Sequence, residues 1–521
     1  MQKIKKLLAA VLSLMVILCI FSGCGGQPEA GEPDNAGDRP PAASDTPQEI
    51  EHINFAAFSY GESPDYPLVI ERLNEISREQ IGVEASIEFI NAATYVEQIG
   101  MRLAAGDKDM DIWSPGWDFP GIISRGQAMA LDSLLDEYGP DIKSALGDLL
   151  YFAPMDGKNY FVPFNSSKRF YSTFICRKDI ADAHGIDLTQ VKSFKDLAAI
   201  FEIIKEKEPQ MIPIAQMNGV IISDYNVYRE AMPAYDPLGG IPGLDIMGVL
   251  TGAEGTKVVN IYETEEYADL LKTMREWYLA GYIPKDAATT MESGSLMYYE
   301  GHVFSYTMPE TSASSDGPIV HAGLSRVTYD TYVLALNAPV INSSDGYYSL
   351  AISPHSQKPE AAMKWMNLLY KDADMVNTLY WGVEGTHWVK NENGTIRYAD
   401  GIEAGNTGWE TPFCWSVGDT ALSYAFDSES DDPDYKRKLV AQNDSAPYSE
   451  VFGFAFLPDN VITEYTAVTN VIAQYVYALE CGTVDPDKEL PNFIQALRNA
   501  GIDAVIAEKQ RQLDEFMASK E

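Results

Sequence analysis

Aromatic and hydrogen-bonding side chains occur together in a few short stretches of this sequence. Trp and Tyr rings offer flat apolar faces, while carboxylate, amide and guanidinium groups form directional hydrogen bonds. Such a mixture is typical of sites that bind a polar molecule with apolar faces. For each tryptophan, an ordinary core position is the alternative interpretation. The stretches "INFAAFSY", "WSPGWDF", "NSSKRFY" and "YWGVEGTHW" supply the candidate binding residues Tyr60, Trp113, Trp117, Asp118, Asn165, Arg169, Tyr171, Trp381, Glu384 and Trp388.

Composition argues against several other kinds of site. The formal charge of −38 excludes nucleic acid as an expected partner, because phosphate binding needs clustered Lys and Arg. Cys176, Cys414 and Cys481 are far apart and none belongs to a Cys-x-x-Cys pair, so neither a zinc site nor a dithiol centre is predicted. The acidic stretch "DSESDDPDYKRK" lacks the ordered pattern of a calcium loop. We therefore expect no cofactor and no metal.

The elements that must position the candidate residues begin with alternating strands and helices. "INFAAFSY" and "VEASIEFI" have the character of strands, and "PLVIERLNEISREQIG" between them has helical spacing. A capping box of Thr94 and Glu97 predicts the next helix, and "MDIW" a third strand. This β-α-β-α-β order predicts a parallel sheet with helices on both faces. Tyr60 and Trp113 would then lie at its carboxyl edge, where open α/β sheets bind ligands.

The rest of the chain continues the α/β pattern and ends in helices. Ser193 and Asp196 form a second capping box, and "ETEEYADLLKTMREWYLAG" predicts an amphipathic helix that ends at Gly281. "GYYSLAIS" predicts a strand and Pro359 the start of another helix, while the last quarter is mostly helical. A folded region from about residue 52 to residue 521 is too long for one core, so two or more domains are expected.

The first residues predict export and a lipid anchor. Three lysines precede the uncharged run 7–21, which has the length of a secretory signal and is too short to span a bilayer. "FSGC" resembles a bacterial lipobox, which implies a signal peptide at 1–23 and lipidation of Cys24. The Gly-, Pro- and Asp-rich stretch 24–49 predicts a disordered tether. We therefore expect the protein at the extracellular face of the cell membrane; secretion with a free Cys24 is the alternative.

Longer stretches resemble one protein family. "LAAGDKDMDIW", "ISRGQAMALDSLLDEYGPDIKSAL" and "SLAISPHSQKPEAAMKWMNLLY" resemble family 1 extracellular solute-binding proteins. "LYWGVEGTHWVKNENGTIRYADGI" and "ALECGTVDPDKELPNFIQALRNAGIDAVIAEKQRQLDEFM" resemble the LipO-like or LplA-like lipoproteins of Gram-positive sugar importers. The resemblance implies a type 2 periplasmic-binding fold, in which two α/β lobes flank a ligand cleft, with a helical C-terminal region. The implied lobes are 50–165 with 312–358, and 166–311 with 359–521.

The resemblance also implies a function. Members of the family carry sugars, usually oligosaccharides, to the permease subunits of an ABC importer and catalyse no reaction. The clusters above suit this ligand, because rings cover the C–H face of a sugar while polar groups bind its hydroxyls. A monomer whose lobes close around the ligand is expected. The alternatives are a peptide or other polar solute in the same fold, and a surface glycoside-active enzyme, which would need two carboxylates roughly 5 to 9.5 Å apart.

Overall fold

Two mixed sheets organise the part of the chain that the structure describes. The computed structural model describes residues 50–520 except 60–62, 116–118, 156, 168–170, 216–234, 237–246, 251–254, 291–293, 311–317, 322–328, 337–347, 404–405, 410–416 and 446–447. The strands are β1 Glu51–Ser59, β2 Val83–Asn91, β3 Ile112–Trp113, β4 Val162–Pro163, β5 Tyr171–Arg177, β6 Ile212–Ala215, β7 Tyr235–Asp236, β8 Met247–Leu250, β9 Val258–Asn260, β10 Val303–Glu310, β11 Ile319–His321, β12 Thr331–Ala335, β13 Ser349–Ile352, β14 Trp388–Lys390 and β15 Ile396–Tyr398. The helices are α1 Tyr66–Ile81, α2 Ala92–Ala105, α3 Phe119–Ser124, α4 Asp132–Tyr138, α5 Pro140–Leu146, α6 Lys178–Ala183, α7 Leu197–Lys207, α8 Glu265–Ala280, α9 Gly294–Tyr299, α10 Pro359–Leu368, α11 Ala373–Trp381, α12 Tyr435–Ala441, α13 Ile462–Glu480, α14 Pro486–Ala500 and α15 Ile502–Lys520.

Sheet 1 has the strand order β2-β1-β3-β13-β4. β1 pairs in parallel with β2 and with β3, which confirms the predicted β-α-β-α-β unit. β13 pairs antiparallel with both β3 and β4, so the complete sheet is mixed. The predicted capping box at Thr94 is wrong, because α2 already begins at Ala92 and the Thr94 hydroxyl donates to Asn91 O at 3.2 Å.

The two faces of sheet 1 carry separate apolar cores. Phe55, Ile112 and Leu350 face α10, whose Trp365 is fully buried 6.0 Å from the Phe55 ring. Because side chains alternate along a strand, the neighbouring positions face the other way. Trp113 therefore packs on the opposite face, in a core that also includes residues of α2 and α3. We call sheet 1 with these two cores the first lobe.

Sheet 2 has the strand order β11-β12-β5-β10-β6 and forms the second lobe with its own cores. The predicted capping box before α7 is confirmed, since the Ser193 N–H donates to an Asp196 carboxylate oxygen at 2.8 Å. α8 ends at Gly281 as predicted. The C-terminal helices α13, α14 and α15 pack in the larger core of this lobe, together with α7 and α8.

Strand pairing divides the chain differently from the predicted lobe boundaries. β11 and β12, within the predicted first-lobe segment 312–358, pair into sheet 2 with β5. The segment after residue 359, predicted for the second lobe, packs in the first lobe through α10 and α11. These two assignments are corrected because local apolar patterns identify strands and helices but not their long-range partners. Within the described ranges, no helix combines the length and apolarity needed to cross a membrane.

Gly482 offers a test of how the C-terminal helices dock on α8. It follows α13 with φ 68°, and an added Cβ would lie 2.8 Å from the main-chain nitrogen of Arg275 and closer still to Met274 O. We expect Gly482→Ala to destabilise the protein by about 3 kcal/mol or more, because helix backbone cannot move aside. Gly185→Ala is the matched control: φ is 65° but its Cβ would meet nothing within 4 Å.

Urea denaturation of the two variants measures the difference. The control should lose only about 1 kcal/mol, the cost of a left-handed alanine. Equal losses would show that the contact with α8 does not constrain Gly482.

Candidate ligand-binding site

Several strands of sheet 1 begin or end at one edge of the sheet. The loops there, and the chain segments that cross to the other sheet, start from these strand ends. β1 and β3 run in parallel to this edge and end there at Ser59 and Trp113. β13 runs antiparallel to β3 and starts from the same edge at Ser349, which pairs with Pro163 at the end of β4. We call this the loop edge of sheet 1. Carboxyl edges of open α/β sheets are the usual place for ligands.

Aromatic rings line the loop edge. Phe58 and Tyr348 are stacked with ring centroids 6.5 Å apart, and Phe164 contacts Tyr348 edge-on at 5.9 Å. Tyr95 meets Phe58 edge-on at 5.8 Å from the helical side. These residues were not predicted from the sequence, because Phe58 and Tyr348 fall in apolar runs that predict strands. Their one sequence signal was the position of each at a strand end.

Two buried polar atoms near this edge have no partner among the described residues. Trp113 pairs with Ala351 in the sheet, so Trp113 and Ser349 project from the same face. Trp113 is 3% exposed and Ser349 is fully buried, yet Trp113 Nε1 and Ser349 Oγ make no hydrogen bond within the described ranges. Buried polar atoms in native proteins are nearly always paired, and an unpaired one costs about 1–3 kcal/mol. The Trp113 indole and the Ser349 hydroxyl therefore lie near these rings without a hydrogen-bond partner among the described residues.

Several predicted site residues come in the chain shortly after strands that end at this edge. Tyr60 comes immediately after Ser59 in the chain. Tyr171 is the first residue of β5, and its main chain pairs with Glu310; its side chain is outside the described part of the structure. The other predicted residues that lie outside the described ranges are Tyr60, Trp117, Asp118 and Arg169. Their predicted roles stay predictions.

Asn165 has a structural partner instead of an open side chain. It is 4% exposed, and its Nδ2 donates to Asp419 Oδ1 at 3.0 Å and to Ala145 O at 3.3 Å. Its main chain forms a parallel bridge with Asp419, because the Asn165 N–H donates to Gly418 O and Thr420 N–H donates to Asn165 O, both at 2.8 Å. Asn165 lies in the first chain segment that crosses from sheet 1 to sheet 2, between β4 and β5. These hydrogen bonds attach this first crossing to the loop at 418–420. In this structure Asn165 therefore holds the crossing in place.

Asp419 is a buried carboxylate at this crossing. It is 7% exposed and accepts hydrogen bonds from Asn165 and from the Ala421 N–H at 2.9 Å. Burial raises the pKa of Asp419 to about 6, while those two hydrogen bonds act in the opposite direction. The nearby Tyr370 hydroxyl is committed to Pro163 O at 2.6 Å. Asp419 therefore titrates near neutral pH at the base of the first crossing.

Trp381, Glu384 and Trp388 are brought together, but in a small packed unit around the β14–β15 hairpin. Trp388 is 4% exposed, and its Nε1 donates to Gly382 O at 2.9 Å. Trp381 is half-buried with its ring 4.9 Å from that of Phe426. The Glu384 carboxylate is exposed and 3.9 Å from Lys390 Nζ. The packing of Trp388 matches the alternative interpretation of a core tryptophan.

The described residues do not form a metal site or a reactive thiol. Among them, no group of three or more His, Cys, Asp and Glu side chains could hold a metal ion. Cys176 and Cys481 are both buried. Burial raises the pKa of both thiols, that of Cys481 to about 12, so each is protonated at neutral pH. The described side chains at the loop edge offer stacking and hydrogen bonding.

A family model decides the identity of the chain. The model for the bacterial extracellular solute-binding protein family matches residues 69–376, more than half of the sequence. This chain belongs to that family. A second model, described as a domain of unknown function (DUF3502), matches residues 450–518 of this solute-binding protein. The family resemblance inferred from the sequence is thus confirmed.

Similar proteins extend over nearly the whole solute-binding protein. A "Carbohydrate ABC transporter substrate-binding protein" of Streptococcus pneumoniae is 29% identical over 475 residues, which are 89% of this chain and 91% of the relative. The crystal structure of the N-glycan transport solute binding protein NgtS from the same species has a TM-score of 0.75 at 26% identity, covering 90% of this chain and 100% of that one. NgtS in complex with Man5GlcNAc has the same identity and a TM-score of 0.69, covering 90% and 99%. These neighbours confirm the predicted α/β two-lobe class.

The pKa of Asp419 makes a pH-dependent prediction. A carboxyl whose pKa is raised on folding stabilises the fold below its unfolded value, and this contribution is lost as the pH rises through about 6. Asp419→Asn cannot ionise and can still accept both hydrogen bonds through Oδ1. We therefore expect its stability relative to wild type to rise between pH 4 and pH 7.5, by about 2–3 kcal/mol.

Urea denaturation of both proteins across this pH range measures the effect. The control is Asp400→Asn, since the Asp400 side chain is 95% exposed. Its profile should parallel that of wild type. A constant difference between Asp419→Asn and wild type would contradict a titration near pH 6.

Proposed function

We propose that this protein captures a carbohydrate, specifically an oligosaccharide, and delivers it to the permease subunits of an ABC importer. The observation that carries the proposal is the loop edge of sheet 1, where stacked rings adjoin buried polar atoms of Trp113 and Ser349 that have no partner among the described residues. The names of the relative and of NgtS support the ligand class, because both refer to carbohydrate or glycan transport. The family supports binding and transport rather than catalysis.

The chemistry of a saccharide fits this edge. A sugar presents a C–H face that stacks on rings such as Tyr348 and Phe58, while its hydroxyls both donate and accept hydrogen bonds. Trp113 Nε1 can only donate, whereas Ser349 Oγ can do both, so one hydroxyl-rich ligand can serve both atoms. The large excess of carboxylates over Lys and Arg favours a neutral glycan over an anionic one.

We propose lobe closure as the mechanism of capture. A ligand that contacts both lobes stabilises the conformer in which they are close together, and the importer would recognise that conformer. The two lobes have separate sheets and separate cores, which supports the proposal.

A lipid anchor at Cys24 and the 24–49 tether would hold the monomeric binding protein at the extracellular face of the membrane. The lipobox-like "FSGC" motif supports this part of the proposal. Acyl chains contribute about 0.8 kcal/mol per buried CH₂, so two or more of them anchor a protein durably.

Titration calorimetry with Man1GlcNAc and Man5GlcNAc tests the ligand class and the site together. We expect binding, and we expect Ser349→Ala to weaken it about tenfold, which corresponds to 1.4 kcal/mol. The melting temperature of Ser349→Ala should not fall, because its hydroxyl has no partner within the described residues. Trp117→Ala should weaken binding more than tenfold, since the sequence predicts its ring as a sugar contact.

Ser356→Ala is the matched control, because the Ser356 hydroxyl is buried but donates to Asp111 Oδ1 at 2.5 Å. It should lower the melting temperature and leave affinity unchanged. A thermal-shift screen of neutral oligosaccharides and peptides completes the test, since a ligand of the native state raises the melting temperature. Stabilisation by peptides alone would replace the carbohydrate with a peptide, and new reducing ends during incubation would indicate an enzyme.

Anchoring is tested separately by fractionating a Gram-positive host that expresses the protein. Wild type should stay with the membrane, whereas Cys24→Ala should be released or retained only through an uncleaved signal. Cys19→Ala, within the predicted signal, is the control and should stay lipidated. Membrane association of Cys24→Ala with a processed N-terminus would contradict the anchor.

A further inference from the structure

The stretch 450–457, at the start of the DUF3502 match, lies between the two lobes. We call it the joint segment. It follows the first-lobe residues around the β14–β15 hairpin and precedes the C-terminal helices of the second lobe. The chain therefore passes here from the first lobe to the second for the last time among the described residues.

Side chains of the joint segment are divided between the lobes. Val451, Phe454 and Phe456 are buried in the large core of the second lobe. Phe452 packs against both cores of the first lobe and meets the ring of Tyr448 edge-on at 4.9 Å. Because rings of one short segment enter both lobes, displacement of one lobe against the other must disturb their packing.

Gly453 lies where three parts of the molecule meet. Its φ of 87° is left-handed, which favours glycine. An added Cβ would be 3.0 Å from Tyr151 O in the first lobe and 3.6 Å from the Phe516 ring of α15. The joint segment, the 151–155 loop and the C-terminal helix are thus in close contact at one point.

Helix α15 also holds the main chain of the joint segment. Gln512 accepts from the Leu457 N–H at 2.9 Å and donates to Leu457 O at 2.7 Å, which satisfies both groups of one residue. Lys520 Nζ donates to Phe452 O at 2.8 Å and to Glu450 O at 3.4 Å. These bonds tie both ends of the segment to a helix that belongs to the second lobe.

A pocket of about 410 Å³ lies beside this contact and opens to solvent. Pro154 and Met155 of the first lobe line it together with Phe454 and Phe516 of the second lobe. The 151–155 loop therefore has room to move relative to α15 next to this point of close contact. Attachment next to open space is the arrangement expected where a movement is permitted but limited.

We infer that the joint segment and α15 form a clasp that restrains the swing of the first lobe against the second. This assigns a mechanical role to the DUF3502 region, and it extends the proposed function without depending on the identity of the ligand. A restrained pair of lobes loses less conformational entropy when a ligand joins them, so the clasp should also raise affinity.

Phe452→Ala is the direct test. It removes the ring of the joint segment that packs in the first lobe and keeps the Phe454 and Phe456 rings that pack in the second. Small-angle X-ray scattering of the ligand-free protein should show a larger radius of gyration and maximum dimension than wild type. Affinity for any glycan that binds should fall by about threefold or more, because the ligand must then order two lobes that move more freely. Tyr477→Ala is the control, since this ring lies on α13 of the second lobe and is 43% exposed. It should change neither quantity.

The double variant Gln512→Ala with Lys520→Met guards against simple misfolding of Phe452→Ala, because it removes the hydrogen bonds of the clasp without opening either core. It should shift the scattering curve in the same direction while the melting transition stays cooperative. Scattering curves of folded Phe452→Ala and of the double variant that superimpose on wild type would overturn the clasp. A protein that binds no glycan but shows the scattering change would contradict only the proposed function.

Discussion

The antiparallel pairing of β13 between β3 and β4 is the interaction on which the arrangement of the first lobe depends. It joins a strand at residue 349 to strands formed more than 180 positions earlier, and it closes the sheet on the side opposite to β2. Without it, β3 and β4 would have no common partner, since β3 otherwise pairs only with β1 among the described strands. The same pairing sets the register that places Ser349 beside the end of β3. The candidate site therefore exists only because a late strand is inserted into an early sheet.

The lobes are separate in packing but are held at defined points where the chain crosses between them. The first crossing is fixed through Asn165 to a buried carboxylate, and the last through Phe452 and the C-terminal helix. These two attachments differ in chemistry. One depends on a hydrogen-bonded group whose charge is costly to bury, and the other on the apolar packing of Phe452 together with hydrogen bonds from Lys520. Acidification through about pH 6 would protonate Asp419 and so act on the first attachment.

Local structure was predictable from the sequence where periodicity and end signals agree. The strands β1 to β3, the helices beginning near Pro67 and Pro359 and the stop at Gly281 follow from such patterns. Long-range pairing was not predictable, because nothing in "TYVLA" indicates that it pairs with β5 instead of a first-lobe strand. Asn165 has the residue type of a ligand contact, but its partner Asp419 lies 254 positions away. Phe58 and Tyr348 were missed because an aromatic residue in a strand pattern predicts a core position and not a ligand contact.

The buried hydroxyl of Ser349 and indole of Trp113 have a consequence for the stability of the first lobe, because neither has a hydrogen-bond partner among the described residues. A buried polar group without a partner costs about 1–3 kcal/mol, so a hydroxyl-bearing molecule that paired with these atoms would stabilise the folded state. Local opening near the ends of β3 and β13 would then be less frequent in the bound protein than in the empty one, and proteases that cleave opened chains would act on it more slowly.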